Sequence, residues 1–263
     1  MSDDIRECPS PSEVEASSGI PYPNPTPYTH IAFACVVWQD AARLRDLLAY
    51  VRPYFGQLFV AVQRSTDGTL GAAMELADVV VEDDHRGFGD ASFGPLLLPK
   101  IPHLWTLKVD VDEWPSSDLL ASLSHATWAA DMAGVDGVWI PFGSAVDGQE
   151  YNEQHSHLRL FKTKKGWPGL LHSRPPIHQA IIWRRGQYRH DRTLDEMMQD
   201  YLRYYEVGRG NPSWDEHNTM MMREACRGVA TVKGWPYVKG FAWWPEVLEI
   251  SFSGMDPDIG GKL

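Results

Sequence analysis

Residues 31–82 alternate between apolar runs and amphipathic segments, and this alternation limits the possible folds more than any other feature of the chain. The run at 31–38 is unbroken, which predicts a strand buried on both faces. Further strands are predicted at 57–63 and 78–82, with a helix at 70–77 between them. Asp40 is predicted to cap another helix after the first strand, whose apolar face consists of Leu44, Leu47, Leu48 and Val51. The order β-α-β-α-β implies a parallel sheet covered by helices, whose ligands bind at the carboxyl ends of the strands.

A fourth strand, which begins at Leu104, is predicted to end in two acids, Asp110 and Asp112, followed by Glu113. Because side chains alternate along a strand, both carboxylates are predicted to point to the same side. Neighbouring carboxylates repel each other, and a hard divalent cation with oxygen ligands relieves that repulsion. The alternative is a polar strand end beside a turn. The pair therefore predicts a metal site, and with it a phosphate-bearing ligand, at the edge of the sheet.

The remainder of the chain is less regular. Ser116 or Ser117 caps a predicted helix that ends near Gly134, and a strand follows at 135–142. Another strand is predicted at 158–161. Capping boxes at 193–196 and 213–216 open two helices whose Met-bearing faces we interpret as core packing.

We divide the 263 residues into three parts. Residues 1–28, rich in Pro, Ser and acids, are predicted to be a disordered or draped arm. Residues 29–145 are predicted to form a Rossmann-like half, and residues 146–263 the other half of the same domain.

Composition excludes several classes of protein. A net charge of −11 argues against wholesale coating of nucleic acid. The spacing of the three cysteines fits no zinc or redox pattern, so we expect a reducing cytoplasm and no disulfide framework. No apolar run is long enough for a membrane span, and the N-terminus does not have the pattern of a signal peptide. The 11 Trp residues are interpreted mainly as core, with some as stacking platforms for sugars or bases.

Residues 158–192 form a basic segment, with nine Lys or Arg residues against one acid, Asp191. It is either a solvated surface that offsets an acidic body or a surface that faces a polyanion. The polyanion would be a donor diphosphate, a lipid phosphate or nucleic acid. Trp167, Trp183 and Tyr188 lie among the charges, an arrangement typical of platforms on which bases stack.

The motifs at 65–69 (Ser-Thr-Asp-Gly-Thr), 105–113 and 157–162 (His-Leu-Arg-Leu-Phe-Lys) follow one another in order, with histidines downstream. Together they resemble the glycosyltransferases of the GT-A fold, and within them the family 2-like enzymes, over about residues 29–205. The resemblance implies a Rossmann-like α/β fold with a mostly parallel central sheet covered by helices. It also implies Mn²⁺ or Mg²⁺, a UDP- or GDP-sugar donor, and inverting transfer of the sugar to an acceptor hydroxyl.

The resemblance also implies that residues 29–145 bind the nucleotide-sugar and residues 146–263 the acceptor, and it implies roles for particular residues. The nucleotide-sugar would contact Val37, Gln63, Ser65, Asp67 and Asp110. The metal ligands would be Asp110, Asp112 and His190. Catalysis would involve Asp112, and His178 as the general base.

The chain departs from the family pattern at three places. Gln39-Asp40 stands where Asn-Glu is usual, and residues 62–64 lack the acid that commonly reads the nucleotide base. His178-Gln179 stands where many members have His-Glu, so the base is His178 or a carboxylate elsewhere, with Asp191 and Glu153 as candidates. Acceptors consistent with the basic segment are a saccharide, a lipid phosphate or a modified base in DNA. One alternative to a glycosyltransferase is a nucleotidyltransferase, but this chain lacks the Gly-rich basic loop that such enzymes usually have after the first strand. The other alternative is a non-catalytic sugar- or nucleic-acid-binding protein.

Overall fold

The central sheet has the parallel core that the sequence predicts. In this computed structural model, the described residues are 4–6, 27–84, 89–146, 149–150, 155–168, 175–177, 179–193 and 196. The first strands and helices after the N-terminal segment are β2 (Ile31–Val37), α1 (Ala41–Val51), β3 (Leu58–Gln63), α2 (Thr69–Leu76), β4 (Val79–Asp83) and β5 (Trp105–Asp110). Strand β2 pairs in parallel with β3 and with β5, and β3 pairs in parallel with β4. Their carboxyl ends therefore lie along one edge of the sheet.

Helix α1 shows how local sequence leads to packing. Asp40 caps the helix, since its carboxylate accepts the Arg43 N–H at 3.3 Å. The predicted apolar face is buried in the main core, and its members are Leu44, Leu47, Leu48 and Val51. Burying one such side chain contributes about 1.5–3 kcal/mol, so this face alone attaches the helix firmly to the sheet.

The opposite face of the sheet is covered by a segment that the sequence analysis did not assign. It consists of the short helix α3 (Gly89–Ser92) and two further helical turns, Phe93–Leu97 and Leu98–Lys100. Phe93 and Leu97 are fully buried there against β2 and β3. Gly94, Pro95 and Pro99 interrupt the helical periodicity, which is why no regular pattern could be read from this stretch.

Antiparallel and parallel strands extend the sheet beyond β5. The later elements are β6 (Trp114–Pro115), α4 (Ser117–Met132), β7 (Gly137–Val146), β8 (Gln149–Glu150), β9 (His155–Lys162), β10 (Gln179–Ile182) and β11 (Tyr188–Arg192). Strand β9 lies antiparallel between β5 and β7, and β10 pairs in parallel with β7. Within the predicted N-terminal arm, β1 (Asp4–Arg6) pairs in parallel with β10.

The chain divides into two compact units, the larger comprising residues 1–143 and 154–190, the smaller residues 144–153 and 191–263. In the smaller unit, β8 pairs with the end of β7. The capping box at Thr193 and Glu196 is confirmed, since the Thr193 N–H donates to the Glu196 carboxylate and the Glu196 N–H donates to Thr193 Oγ1. The helix that it opens and the second box at 213–216 lie outside the described residues. In the described part of the chain, no helix is long and apolar enough to span a membrane.

Candidate functional site

The turn after β5 carries the predicted acid pair. Strand β5 ends at Asp110, and the Glu113 N–H donates back to the Asp110 carbonyl at 2.9 Å, which closes a turn over 110–113. Asp112 therefore lies in a turn. The prediction that strand alternation makes Asp110 and Asp112 face the same way is wrong, because the strand does not reach Asp112.

Asp110 lies in a network of buried charges. Its two carboxylate oxygens accept from Lys108 Nζ and from Arg159 Nη2, each at 2.8 Å. Arg159 also donates to the Glu113 carboxylate, and Glu113 Oε2 accepts the Asp110 N–H at 3.1 Å. The side chains of Lys108 and Arg159 are only 3% and 11% exposed. Two cations thus compensate two carboxylates, which is the condition for burying such charges.

The two carboxyls of this network have their pKa values shifted in opposite directions. Burial would raise the pKa of Asp110, but Lys108 and Arg159 outweigh that effect and hold it well below its usual range. Burial raises the pKa of Glu113, and Arg159 only partly offsets the increase. Burial raises the pKa of the Tyr188 hydroxyl well above its usual value, and the negative charge of Glu113 raises it further.

Asp112 meets His190, as the metal-site prediction requires. Asp112 Oδ2 and His190 Nε2 are 2.6 Å apart, with side chains 22% and 12% exposed. Strand β11 carries His190, and it is placed beside the turn by antiparallel pairing of Arg189 with Trp114. Phe142 packs edge-on against the imidazole at 5.7 Å. No group of three or more metal-binding side chains forms among the described residues, so Asp112 and His190 form a two-donor set.

The Ser-Thr-Asp-Gly-Thr turn holds two loops together at the carboxyl edge. The Asp67 carboxylate accepts the N–H groups of Ala41 at 3.1 Å and of Thr69 at 3.2 Å, at the starts of α1 and α2. The Ser65 hydroxyl accepts the Gln39 N–H at 3.0 Å. Asp67 thus has a helix-capping role, and contact between the nucleotide and Ser65 or Asp67 stays a prediction.

Asp40 adds a further acid to this edge. Burial raises the pKa of its carboxyl, and the negative charges of Asp112 and Asp67 raise it further, so the three carboxylates share one electrostatic neighbourhood. Sequence reasoning identified Asp40 only as a helix cap. The signal for a second role was its position directly after the first parallel strand, where such sheets bind ligands.

Val37 and Gln63 end the strands β2 and β3, and both are buried, with 2% exposure each. Gln63 Nε2 donates to Ser92 Oγ at 2.8 Å, and that hydroxyl donates to Asp83 at 2.6 Å. Beside them is a cleft lined by Val62, Gln63, Arg64, Ser65, Leu70, Glu82, Asp83 and Asp84. Two of the acids that line this cleft, Glu82 and Asp83, lie at the end of β4.

The basic segment is not one continuous surface. Lys162 bridges Asp131 at 3.0 Å and Asp136 at 3.2 Å, and Lys165 pairs with Asp136 at 2.6 Å. These pairs lie near the start of β5, because Lys162 is opposite Trp105 in the antiparallel ladder, whereas Arg159 lies near its end. Three of the basic side chains are therefore engaged with acids of the same chain.

The aromatic residues of the basic segment are buried. Trp167, Trp183 and Tyr188 are 9%, 3% and 0% exposed, so the prediction that they stack on bases is wrong. They fill the core instead, and Trp183 Nε1 donates to Ser122 Oγ at 2.9 Å. Trp183 and Tyr188 are buried because β10 and β11 lie within the sheet, and Trp167 packs against Phe93 and Phe161.

The general base is not identified among the described residues. His178 and Glu153 lie outside them. Asp191 is described and exposed. The catalytic role of His178 stays a prediction.

No family model and no curated protein matches the chain. Solved structures do match. The structure of S. aureus TarS has 12% identity over 88% of this chain and a TM-score of 0.45, and the chain spans only 50% of its length. TarS 1–349 in complex with UDP-GlcNAc has 14% identity over 88% of this chain and 83% of that one, with a TM-score of 0.46. Glucosyl-3-phosphoglycerate synthase from Mycobacterium tuberculosis, in complex with Mg²⁺ and UDP, has 14% identity over 89% of this chain and 88% of that one, with a TM-score of 0.42. These similarities concern the course of the chain, and no residue role is taken from them.

Proposed function

We propose that the chain is a glycosyltransferase that moves a sugar from a nucleotide-sugar to an acceptor hydroxyl. The observation that carries this proposal is the meeting of Asp112 with His190 at the carboxyl edge of a parallel α/β sheet. This edge is where open sheets of this kind bind nucleotides. The motifs around Asp67, Asp112 and Arg159 resemble the family 2-like enzymes in order and spacing.

The charge at the edge supports dependence on a divalent cation. A donor diphosphate would approach the carboxylates of Asp40, Asp67 and Asp112, which repel it unless a cation lies between. Asp112 and His190 fit this role as protein ligands, since Mg²⁺ or Mn²⁺ commonly takes few protein ligands and completes its shell with phosphate and water. Both oxygens of Asp110 already accept from cations, so we propose Asp112 and His190 alone as the protein ligands. A bound cation would neutralise the charge that develops on the diphosphate leaving group.

The nucleotide end of the donor fits the cleft beside Gln63. The cleft offers acceptors on Glu82, Asp83 and Asp84, and a cation on Arg64. Carboxylates accept hydrogen bonds from the N–H groups of a base, so a uracil or guanine base would find partners there.

Inverting transfer is a single displacement in which a general base removes the proton of the acceptor hydroxyl. We keep His178 as the candidate base.

Acceptor recognition is proposed for Arg184 and Arg185, which directly follow β10 at the same edge as Asp112, since β10, β7 and β5 run in the same direction. These two cations favour a phosphate-bearing acceptor, including a modified base in DNA. The free, buried Cys35 is in keeping with our proposal that the protein acts in the cytoplasm.

The proposal is tested with a panel of nucleotide-sugars, each with and without Mn²⁺. A ligand of the native state raises the melting temperature, so the correct donor is expected to stabilise the protein only when the cation is present. Chelation with EDTA should abolish donor consumption, and added Mn²⁺ should restore it. Release of pyrophosphate would indicate a nucleotidyltransferase, and binding without consumption of any donor would indicate a non-catalytic protein.

A further inference from the structure

Arg159 holds both ends of the turn that carries Asp112. Its guanidinium donates to Asp110 Oδ2 at 2.8 Å and to the Glu113 carboxylate. Arg159 reaches the turn from β9, which lies antiparallel to β5. It is 49 positions from Asp110 along the chain. Its side chain is 11% exposed, so the two bonds form largely out of solvent. Both bonds come from one nitrogen, Nη2, and the planar guanidinium fixes the directions of its N–H groups, whereas the donors of an ammonium rotate.

The backbone of the same turn is closed from within. The Glu113 N–H donates to the Asp110 carbonyl at 2.9 Å, and the Glu113 carboxylate returns to the Asp110 N–H at 3.1 Å. Lys108 restrains Asp110 from the other side at 2.8 Å. Its ammonium is itself fixed over the Trp167 ring, 5.3 Å from the centroid. Asp112 lies inside this braced turn, and its carboxylate faces His190 at 2.6 Å.

We infer that Arg159 is a positioning residue, which fixes the turn at 110–113 so that Asp112 faces His190. This inference rests on the proposed function, because only the proposed function makes the Asp112–His190 pair important for catalysis. It also changes the interpretation of the basic segment, since Arg159 serves an acid turn of its own chain.

Lys162 provides a matched control. It lies on the same strand three residues later, its side chain is 16% exposed, and it also bridges two acids, Asp131 and Asp136. Those acids are not part of the turn. Lys162→Met therefore removes an equivalent ion-pair bridge at the other end of the ladder.

The test variant is Arg159→Met combined with Glu113→Gln, which removes one cation and one anion together and leaves no unpaired buried charge behind. Arg159→Lys is the second variant, since it keeps the charge but replaces the rigid planar donor with a rotatable ammonium. Crystal structures report the Asp112–His190 distance, and kinetics with the donor report kcat/KM. The double variant is expected to break the Asp112–His190 hydrogen bond and to lower kcat/KM by about 100-fold, the usual effect of a displacement of about 1 Å. Arg159→Lys should show a smaller loss, and Lys162→Met should keep both the contact and kcat/KM.

The inference is overturned if the double variant keeps the Asp112–His190 contact, whether or not activity falls, because Arg159 would then act in another way. It is also overturned if the contact is lost and kcat/KM is unchanged, or if Lys162→Met has the same effects. A wild-type protein that consumes no donor and does not bind Mn²⁺ would refute the proposed function instead. In that case, the Asp112–His190 distance in the variants still tests whether Arg159 positions the turn.

Discussion

Asp110 and Asp112 are chemically identical and two positions apart, but their surroundings differ. Asp110 neutralises Lys108 and Arg159, whose side chains are buried, whereas Asp112 faces the imidazole of His190. Removing one partner of a buried ion pair leaves an uncompensated charge, which costs far more than the pair itself contributes. The two aspartates therefore differ in what they do for stability and for activity.

Substitution of each aspartate by asparagine separates these roles. Asp110→Asn should lower the free energy of unfolding by about 3 kcal/mol or somewhat less, since buried Lys108 loses its partner but Asp110 is 36% exposed. Asp112→Asn should change it by less than about 1 kcal/mol and nearly abolish transfer. Urea unfolding and donor consumption measure the two effects. Equal losses of stability, or full activity in both variants after chelation of free metal, would contradict the assignment.

Asp67 is expected to stabilise the fold in a pH-dependent way. Although burial opposes the shift, hydrogen bonds from Thr69 and Ala41 lower the pKa of its carboxyl. A lowered folded-state pKa means that the stabilisation is present above the unfolded value of about 3.9 and is lost as the pH falls through the folded value. Asp67→Ala should cost about 1–2 kcal/mol at pH 7 and less in acid. Urea unfolding from pH 7 down to pH 3 measures the difference, and a constant difference would contradict this role.

Among the elements, the turn after β10 is tightly fixed against the start of α4. Gly186 has a φ of +80°, and a Cβ there would lie 2.3 Å from the Leu119 nitrogen and 2.6 Å from Ser116 Oγ. Ser116 caps α4 and also accepts the Gln187 N–H at 3.1 Å. A side chain at position 186 therefore pushes the turn away from the helix that supports it.

Gly186→Ala should destabilise the protein by about 3 kcal/mol, the sum of backbone strain and overpacking. Gly134→Ala is the matched control, since Gly134 follows the C-terminal end of α4 with a φ of +67° and nothing within 4 Å of the added Cβ. It should cost only the backbone strain, about 1 kcal/mol. Chemical denaturation compares the two variants, and equal losses would mean that the close approach to α4 contributes nothing.

For the whole molecule, the distribution of charge matters more than its total of −11. Lys162 and Lys165 are neutralised near the start of β5, whereas Arg184 and Arg185 follow β10 at the edge that carries Asp112. We propose that Arg184 and Arg185 meet a ligand of the site. A polyanionic acceptor would therefore approach this edge.

Charge reversal of Arg184 and Arg185 tests this arrangement. If the acceptor is DNA, the slope of log K against log salt should become shallower by about 0.9 for each lost phosphate contact. Donor binding should be nearly unchanged, whereas loss of donor binding would mean that the arginines hold the diphosphate. Lys164→Glu changes an exposed residue of the same segment and should alter neither the salt slope nor donor binding. A gel-shift titration measures binding, and no DNA binding at low salt with donor present would exclude the nucleic-acid acceptor.

The order of strands and helices through β5, and the edge at which the acids lie, could be read from the sequence, because buried strands and amphipathic helices have local periodicities. The same reasoning found the caps at Asp40 and Ser116, since capping is also local. It could not find the partners of the acids. Arg159 is 49 positions from Asp110, and His190 is 78 positions from Asp112, and each pair meets only because a later strand takes a particular place in the sheet. Local pattern thus determined where the carboxylates end a strand, and long-range strand pairing decided which one is neutralised and which one faces His190.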